Sequence, residues 1–137
     1  MTTVLVHVNR FNNAHPLQAD LAAAGFDVLA TVQDRAKLLQ EVVRHAPDVV
    51  ICDVPAPDEA LFKATAAIAD MAPCAVVVFT VDADVGHMDR ALASGIHGYE
   101  VNGYSAPRLR ALVHLAQARF RPAQARGQEL AALSTRF

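Results

Sequence analysis

The sequence is poor in the residues that most metal sites and disulfide frameworks need. It has only two cysteines, Cys52 and Cys74, in 137 residues. Both fall in apolar stretches that read as strands, so they are expected to be reduced core thiols. The six histidines (His7, His15, His45, His87, His97 and His114) include no pair in HxH or HxxxH spacing, and no CxxC occurs. That argues against a structural zinc site. The loop after the first apolar stretch, VNRFNNAHP, holds no glycine, which argues against a dinucleotide-binding or P-loop enzyme. No GxSxG is present either, so there is no nucleophile elbow. The longest apolar run, Ala75 to Phe79, is far too short to cross a bilayer. The N-terminus, MTTVLVHVN, has no basic region and no cleavage-site pattern, so no secretory signal is expected. A cytoplasmic chain without a membrane segment follows as the expectation. A small α/β enzyme of unrelated chemistry is the least favoured class.

What is present suits one globular domain. The chain is 53% hydrophobic and 19% charged, enough apolar material for a core and too much for a disordered chain. The charge is unevenly spread. Residues 1–106 hold six Lys/Arg against thirteen Asp/Glu, whereas residues 107–137 hold six arginines against one acid, Glu129. A basic stripe can meet nucleic acid, or it can be the solvated face of a helix.

Apolar periodicity alternates along the chain. Thr3–Val8 reads as a strand, rich in β-branched residues. Pro16–Ala24 reads as a helix stopped by Gly25. Phe26–Val32 is a strand. Arg35–His45 is a helix with Asp34 as N-cap, with Leu38, Leu39, Val42 and Val43 as its apolar stripe and Pro47 as its stop. Asp48–Cys52 and Cys74–Thr80 are apolar on both faces, as parallel strands covered on both sides are. Glu59–Met71 and Asp84–Ser94 are helices, the second stopped by Gly95. His97–Val101 is a short fifth strand, and a helix starts at Ala106. Strict alternation of five strands with helices predicts an α/β, doubly wound parallel sheet. In such sheets the site lies beyond the strands' carboxyl ends, where strand order reverses. Asn9, Asp53, Thr80 and Asn102 all fall at or just after strand ends. His7 stands inside the apolar first strand and is expected to be a neutral core histidine bonded to a neighbour. A pH-sensing role is the alternative.

The stretch 49-VVICDVPAPDE-59 runs from an apolar strand into Asp53, with Pro55 and Pro57 behind it. Thr80 ends the next apolar strand, in VVVFTVDAD. The run 91-ALASGIHGYEV-101 enters the fifth strand with Tyr99 in it. Over roughly residues 3–120 this arrangement resembles the receiver domain of two-component response regulators. The resemblance implies a flavodoxin-like sheet of order 2-1-3-4-5. It implies Asp53 as phosphoryl acceptor, Thr80 as the hydroxyl that turns toward an acyl phosphate, and Tyr99 as the aromatic that moves with it. It also implies a sensor histidine kinase, or another regulatory protein, as partner.

A carboxylate accepts a phosphoryl group when a divalent cation and a basic group offset the charge building on the phosphoryl oxygens. Receivers hold Mg²⁺ with two acids at the end of the first strand and place a lysine at the end of the fifth. Here those positions carry Val8, Asn9 and Asn102, and the proline after the lysine is replaced by Gly103. Asn9, Asp53 and the Pro55 backbone carbonyl are the remaining metal ligands. One carboxylate with a neutral amide is a poor set for so hard a cation. Losing a fixed positive group typically costs about 10² to 10³ in rate. The site is therefore expected to be degenerate, with weak Mg²⁺ binding and no other cofactor. Arg10, one residue past Asn9, is a candidate to swing onto Asp53 as an ion pair. The alternative is a phosphorylation-independent pseudo-receiver that signals by protein contact.

The segment 97-HGYEVNGYSAPRLRALVHLAQARF-120 is similar to ANTAR-type (AmiR/NasT-type) transcription antiterminators, through Asn102-Gly103 and Ala118-Arg119-Phe120. In that group an RNA-binding output domain would begin about where this sequence stops, at Phe137. RNA binding is thus expected outside these residues and not from the chain itself. Leu109, Ala116, Ala123, Leu130 and Phe137 are seven apart, a seam that suits helix pairing and a homodimer. Pro122 and Gly127 argue against one smooth helix. The chain is accordingly divided into a receiver domain, residues 1–121, and a C-terminal helical extension, residues 122–137.

Overall fold

The structure, a computed structural model, describes residues 1–8, 15–101 and 105–134, with side chains except at residues 15, 16, 106 and 122–134. Five strands and five helices alternate: β1 (Thr3–Val8), α1 (His15–Ala23), β2 (Asp27–Val32), α2 (Leu38–His45), β3 (Val49–Asp53), α3 (Glu59–Met71), β4 (Ala75–Thr80), α4 (Val85–Ala93), β5 (Gly98–Val101) and α5 (Ala106–Ser134). A 3-10 turn, Arg35–Lys37, precedes α2. The strands form one sheet in the order β2-β1-β3-β4-β5, and every pairing is parallel. The fold class and strand order are those expected from the alternation and the resemblance.

The sheet separates two cores. One joins Leu5, Val50, Cys52, Val76 and Val78 to α2, α3 and Ala91 of α4. The other joins Val4, Val6, Val8, Ile51 and Phe79 to Leu17 and Leu21 of α1 and to Leu109 and Val113 of α5. Alternate residues of β1 and β3 thus face opposite cores, because strand side chains alternate with period two. Burial on both faces explains why these strands are apolar throughout. Cys52 and Cys74 are buried free thiols.

The helix ends follow local chemistry. Asp58 Oδ1 accepts from Leu61 N at 2.9 Å and caps α3. Asp84 Oδ1 accepts from His87 N at 3.0 Å and caps α4. Asp34 caps only the 3-10 turn, accepting from Ala36 N at 3.0 Å, so the helix expected over 35–45 starts three residues late. Gly95 leaves α4 at φ +90°, and a Cβ there would meet the Ala69 Cβ at 2.9 Å. Only glycine fits that position without strain.

Two expectations are corrected. Val43 is not on the buried stripe of α2: it is 54% exposed, while Leu38 and Val42 are buried. Five residues advance a helix by about 500°, which puts Val43 about 140° around from Leu38. The helix also does not break at Pro122 or Gly127. α5 runs unbroken over 29 residues, across the 121/122 division, about 44 Å at 1.5 Å per residue. Proline forfeits one backbone hydrogen bond and bends a helix locally, but it need not end one.

Candidate functional site

The order of the strands reverses between β1 and β3. Val8 and Asp53, the last residues of these strands, are partners in register. On its other side Asp53 pairs with Phe79, and the Val54 amide donates to the Phe79 carbonyl at 3.0 Å. The Asp53 carboxyl is half-buried at this edge. Desolvation raises its pKa above the ordinary carboxylate value. Val8 is fully buried on the α1/α5 face, and its side chain has no atom to offer a metal. Asn9, Arg10 and Asn102 lie outside the described residues, so the proposed Arg10–Asp53 ion pair and the Asn9 and Asn102 roles do too. Asn9 directly follows Val8, and Asn102 directly follows Val101.

Thr80 is 3% exposed. Its hydroxyl donates to the Pro55 carbonyl at 2.8 Å and accepts from the Asp82 amide at 3.1 Å. The carbonyl assigned above as a metal ligand is therefore already an acceptor for the hydroxyl assigned to the phosphoryl group. One bond ties the loop after β3 to the end of β4.

Tyr99 packs its ring against the α2/α3 core. Its hydroxyl lies 3.1 Å from the Asp82 carbonyl and 3.3 Å from Asp82 Oδ2, donating to these acceptors. Burial, then the Asp82 charge, pushes the Tyr99 phenol up to about 12. His87 Nδ1 donates to the same Asp82 Oδ2 at 2.6 Å. That bond lowers the Asp82 pKa and raises the His87 pKa. Sequence reading missed Asp82 and His87. Asp82-x-Asp84-x-x-His87 matches no ligand or catalytic spacing, and only folding brings Tyr99 onto Asp82.

A second polar group lies under the same edge, on the α2/α3 side. Arg35 pairs with Asp58, the α3 cap. His7, 1% exposed, puts Nδ1 2.9 Å from the Val32 carbonyl. A carbonyl only accepts, so Nδ1 holds the proton and Nε2 is left buried without a partner. The neutral core histidine expected from the sequence is thus what folds. Burial, and to a lesser degree the Arg35 charge, lowers its pKa below 6.5. The unfolded chain then binds the proton more tightly than the folded one. Stability from neutral His7 is present above pH 6.5 and declines as pH falls below it toward the folded pKa. His97, also lowered by burial, adds in the same direction. Neutral His7 should therefore deepen the drop in urea midpoint between pH 7.5 and 5.5, against the opposite contribution of His87, so the drop should be smaller in His7→Leu. An equal drop in both would remove His7 from the account.

Among the described residues, no three or more His, Cys, Asp or Glu side chains group to hold a metal ion. No described helix is long and apolar enough to cross a membrane.

No family model matches the chain. The transcriptional regulatory protein PdtaR of Mycobacterium tuberculosis is 30% identical over 117 residues, which cover 85% of this chain and 57% of that protein. The chain thus spans little more than half the length of the curated relative it matches. Among solved structures, the signal receiver domain of a modulated diguanylate cyclase from Desulfovibrio desulfuricans G20 superposes with a TM-score of 0.76 at 21% identity, over 90% of this chain and 98% of that one. The signal receiver domain of the putative response regulator NarL from Mycobacterium tuberculosis gives 0.69 at 22% identity, over 85% and 96%. The chain has the fold of signal receiver domains.

Proposed function

We propose that the chain is an atypical receiver domain of a two-component response regulator in the cytoplasm, with Asp53 as a degenerate phosphoryl acceptor. Its output, on this reading, is an RNA-binding antiterminator domain of the ANTAR type. The observation that carries the reading is the pairing of Asp53 with Val8 at the strand-order reversal. On this reading the Asp53 carboxylate, at the end of β3, is the acceptor, and the apolar Val8 beside it occupies a position where receivers have a metal-binding acid. The likeness to a transcriptional regulatory protein over most of the chain supports a role in gene regulation.

In phosphotransfer, an Asp53 oxygen would form the new bond to phosphorus while the donor's bridging oxygen departs in line. Bound Mg²⁺ would offset charge on the phosphoryl oxygens. On this reading Asp53, the Pro55 carbonyl and Asn9 would hold it with one carboxylate and neutral oxygens, the Val8 side chain would add nothing, and weak binding is expected. Thr80 can donate to a phosphoryl oxygen only after leaving the Pro55 carbonyl. The test is incubation with Mg²⁺ and acetyl phosphate, followed by intact mass. A slow, partial phosphoryl adduct that vanishes in Asp53→Ala is the expected result. A rapid, stoichiometric adduct would show that the acceptor site is fully competent.

A second reading is a phosphorylation-independent module acting by protein contact. It is favoured by the bonds that already hold Thr80 to Pro55 and Tyr99 to Asp82, and it would be upheld by a complete absence of adduct.

We also propose homodimerisation through α5. The helix buries Leu109, Leu112, Val113 and Ala116 on the sheet, all before Arg121, and runs on to Ser134. The intact chain should sediment as a dimer, and a chain ending at Arg121 as a monomer. Equal monomer masses would refute the proposal.

A further inference from the structure

We propose that His87 is a positioning residue that sets, through Asp82, where the hydroxyls of Thr80 and Tyr99 and the first turn of α4 are held. The inference needs no phosphorylation of Asp53. Only its place in signalling rests on the receiver reading.

Asp82 is the point where these groups meet. Its amide donates to Thr80 Oγ1 at 3.1 Å. Its Oδ1 accepts from the Asp84 amide at 3.3 Å, and Asp84 is the cap of α4. Its carbonyl and Oδ2 face the Tyr99 hydroxyl at 3.1 and 3.3 Å. Its Oδ2 also accepts from His87 Nδ1 at 2.6 Å, the shortest of these contacts. One residue thus joins the end of β4, the ring on β5 and the start of α4.

His87 controls the charge on that junction. The charged groups facing it are Asp82, Asp84 at 4.0 Å and Arg90, with Tyr99 sharing its carboxylate oxygen. When the ring is protonated, the Nδ1–Oδ2 bond is charge-assisted, about twice as strong as a neutral one. When Nε2 loses its proton, the bond persists without the charge, and Asp82 regains its full negative field. Tyr99, which shares Oδ2, then meets a different acceptor. α4 responds as well, because it has few other holds. Its buried residue is Ala91, and its polar ties to α3 are Arg90 to Glu59, Arg90 above the Phe62 ring, 5.0 Å from the centroid, and, at its C-cap, the Ser94 hydroxyl accepting from Thr65 at 3.4 Å. Val85 and Leu92 on α4 are 68% and 59% exposed, so motion of this helix moves an apolar surface at little cost to the core.

The experiment is NMR of the intact chain labelled with ¹³C-tyrosine, with Tyr104→Phe used to assign the two rings, followed from pH 5.5 to 9. His87 should titrate above 6.5, as its bond to Asp82 dictates, and the Tyr99 ring signals should move with the same midpoint. His97 titrates below 6.5 and is separable on that ground. In His87→Gln the Tyr99 movement at that midpoint should be lost. In His87→Arg, which keeps the cation, Tyr99 should stay at its low-pH position throughout. In Asp82→Asn the His87 midpoint should fall back to about 6.5. A Tyr99 signal that stays flat while His87 titrates overturns the proposal, as does a Tyr99 titration that persists in His87→Gln. A structural role alone would leave these midpoints unlinked.

Discussion

Replacing Asn9 by Asp and Asn102 by Lys together should raise the rate of Asp53 phosphorylation by acetyl phosphate about 10² to 10³-fold, the usual worth of a fixed charge aimed at transition-state charge. The two positions directly follow Val8 and Val101, the ends of β1 and β5. On the proposed receiver reading, Asn9→Asp would give Mg²⁺ a second carboxylate, and Mg²⁺ is held by one or two carboxylates in most phosphoryl-transfer sites. Asn102→Lys would supply the ammonium that the receiver reading calls for. Val8 is left alone by design, although the receiver pattern has an acid there. Its side chain is fully buried among Val4, Val6, Leu17 and Leu21, and a carboxylate in that core would be desolvated without a partner. Intact mass against time measures the gain. If the double variant is no faster than the parent, charge is not what the site lacks. The bond between Thr80 and the Pro55 carbonyl then becomes the barrier to test.

The largest stability effect should come from Phe79→Ala, a loss of about 3–5 kcal/mol. Phe79 is 2% exposed one residue before the end of β4 and packs in the core formed with α1 and α5. Truncation removes apolar area from contact and leaves a cavity that rigid neighbouring strands cannot close. Against a typical total of about 5–15 kcal/mol, that is about a fifth or more of the stability. The site should suffer as well, since Phe79 is the register partner of Asp53 and its carbonyl binds the Val54 amide. Val43→Ala is the control: with its side chain 54% exposed, it should change stability by less than about 0.5 kcal/mol. Urea unfolding with an unchanged m-value measures both. A Phe79→Ala loss below about 1 kcal/mol would mean that the core repacks around the gap.

Much of the fold was legible because the signals are local. β-branched content, short apolar runs and helical spacing marked all ten elements, and Gly95 and Thr80 ended α4 and β4 where expected. Asp53 stood out because a carboxylate ending an apolar strand is visible in one short stretch. The misreadings have the same origin. Val43 is apolar, but which way it faces depends on where α2 begins, and a 3-10 turn delayed that start by three residues. Pro122 disfavours helix by its own chemistry, yet one missing hydrogen bond is a small loss within 29 residues.

By itself, the sequence determined the α/β alternation, the two-faced strands, the glycine stop after α4 and the carboxylate at the end of β3. Each of these follows from a residue and its near neighbours. Only the tertiary structure decided that Thr80 holds the Pro55 carbonyl, that Arg35 reaches Asp58, and that Tyr99 and His87 share one oxygen of Asp82. Those bonds join residues from 5 to 25 positions apart, most of them on different elements. Their partners are chosen by the packing of those elements in space, and no local pattern records them.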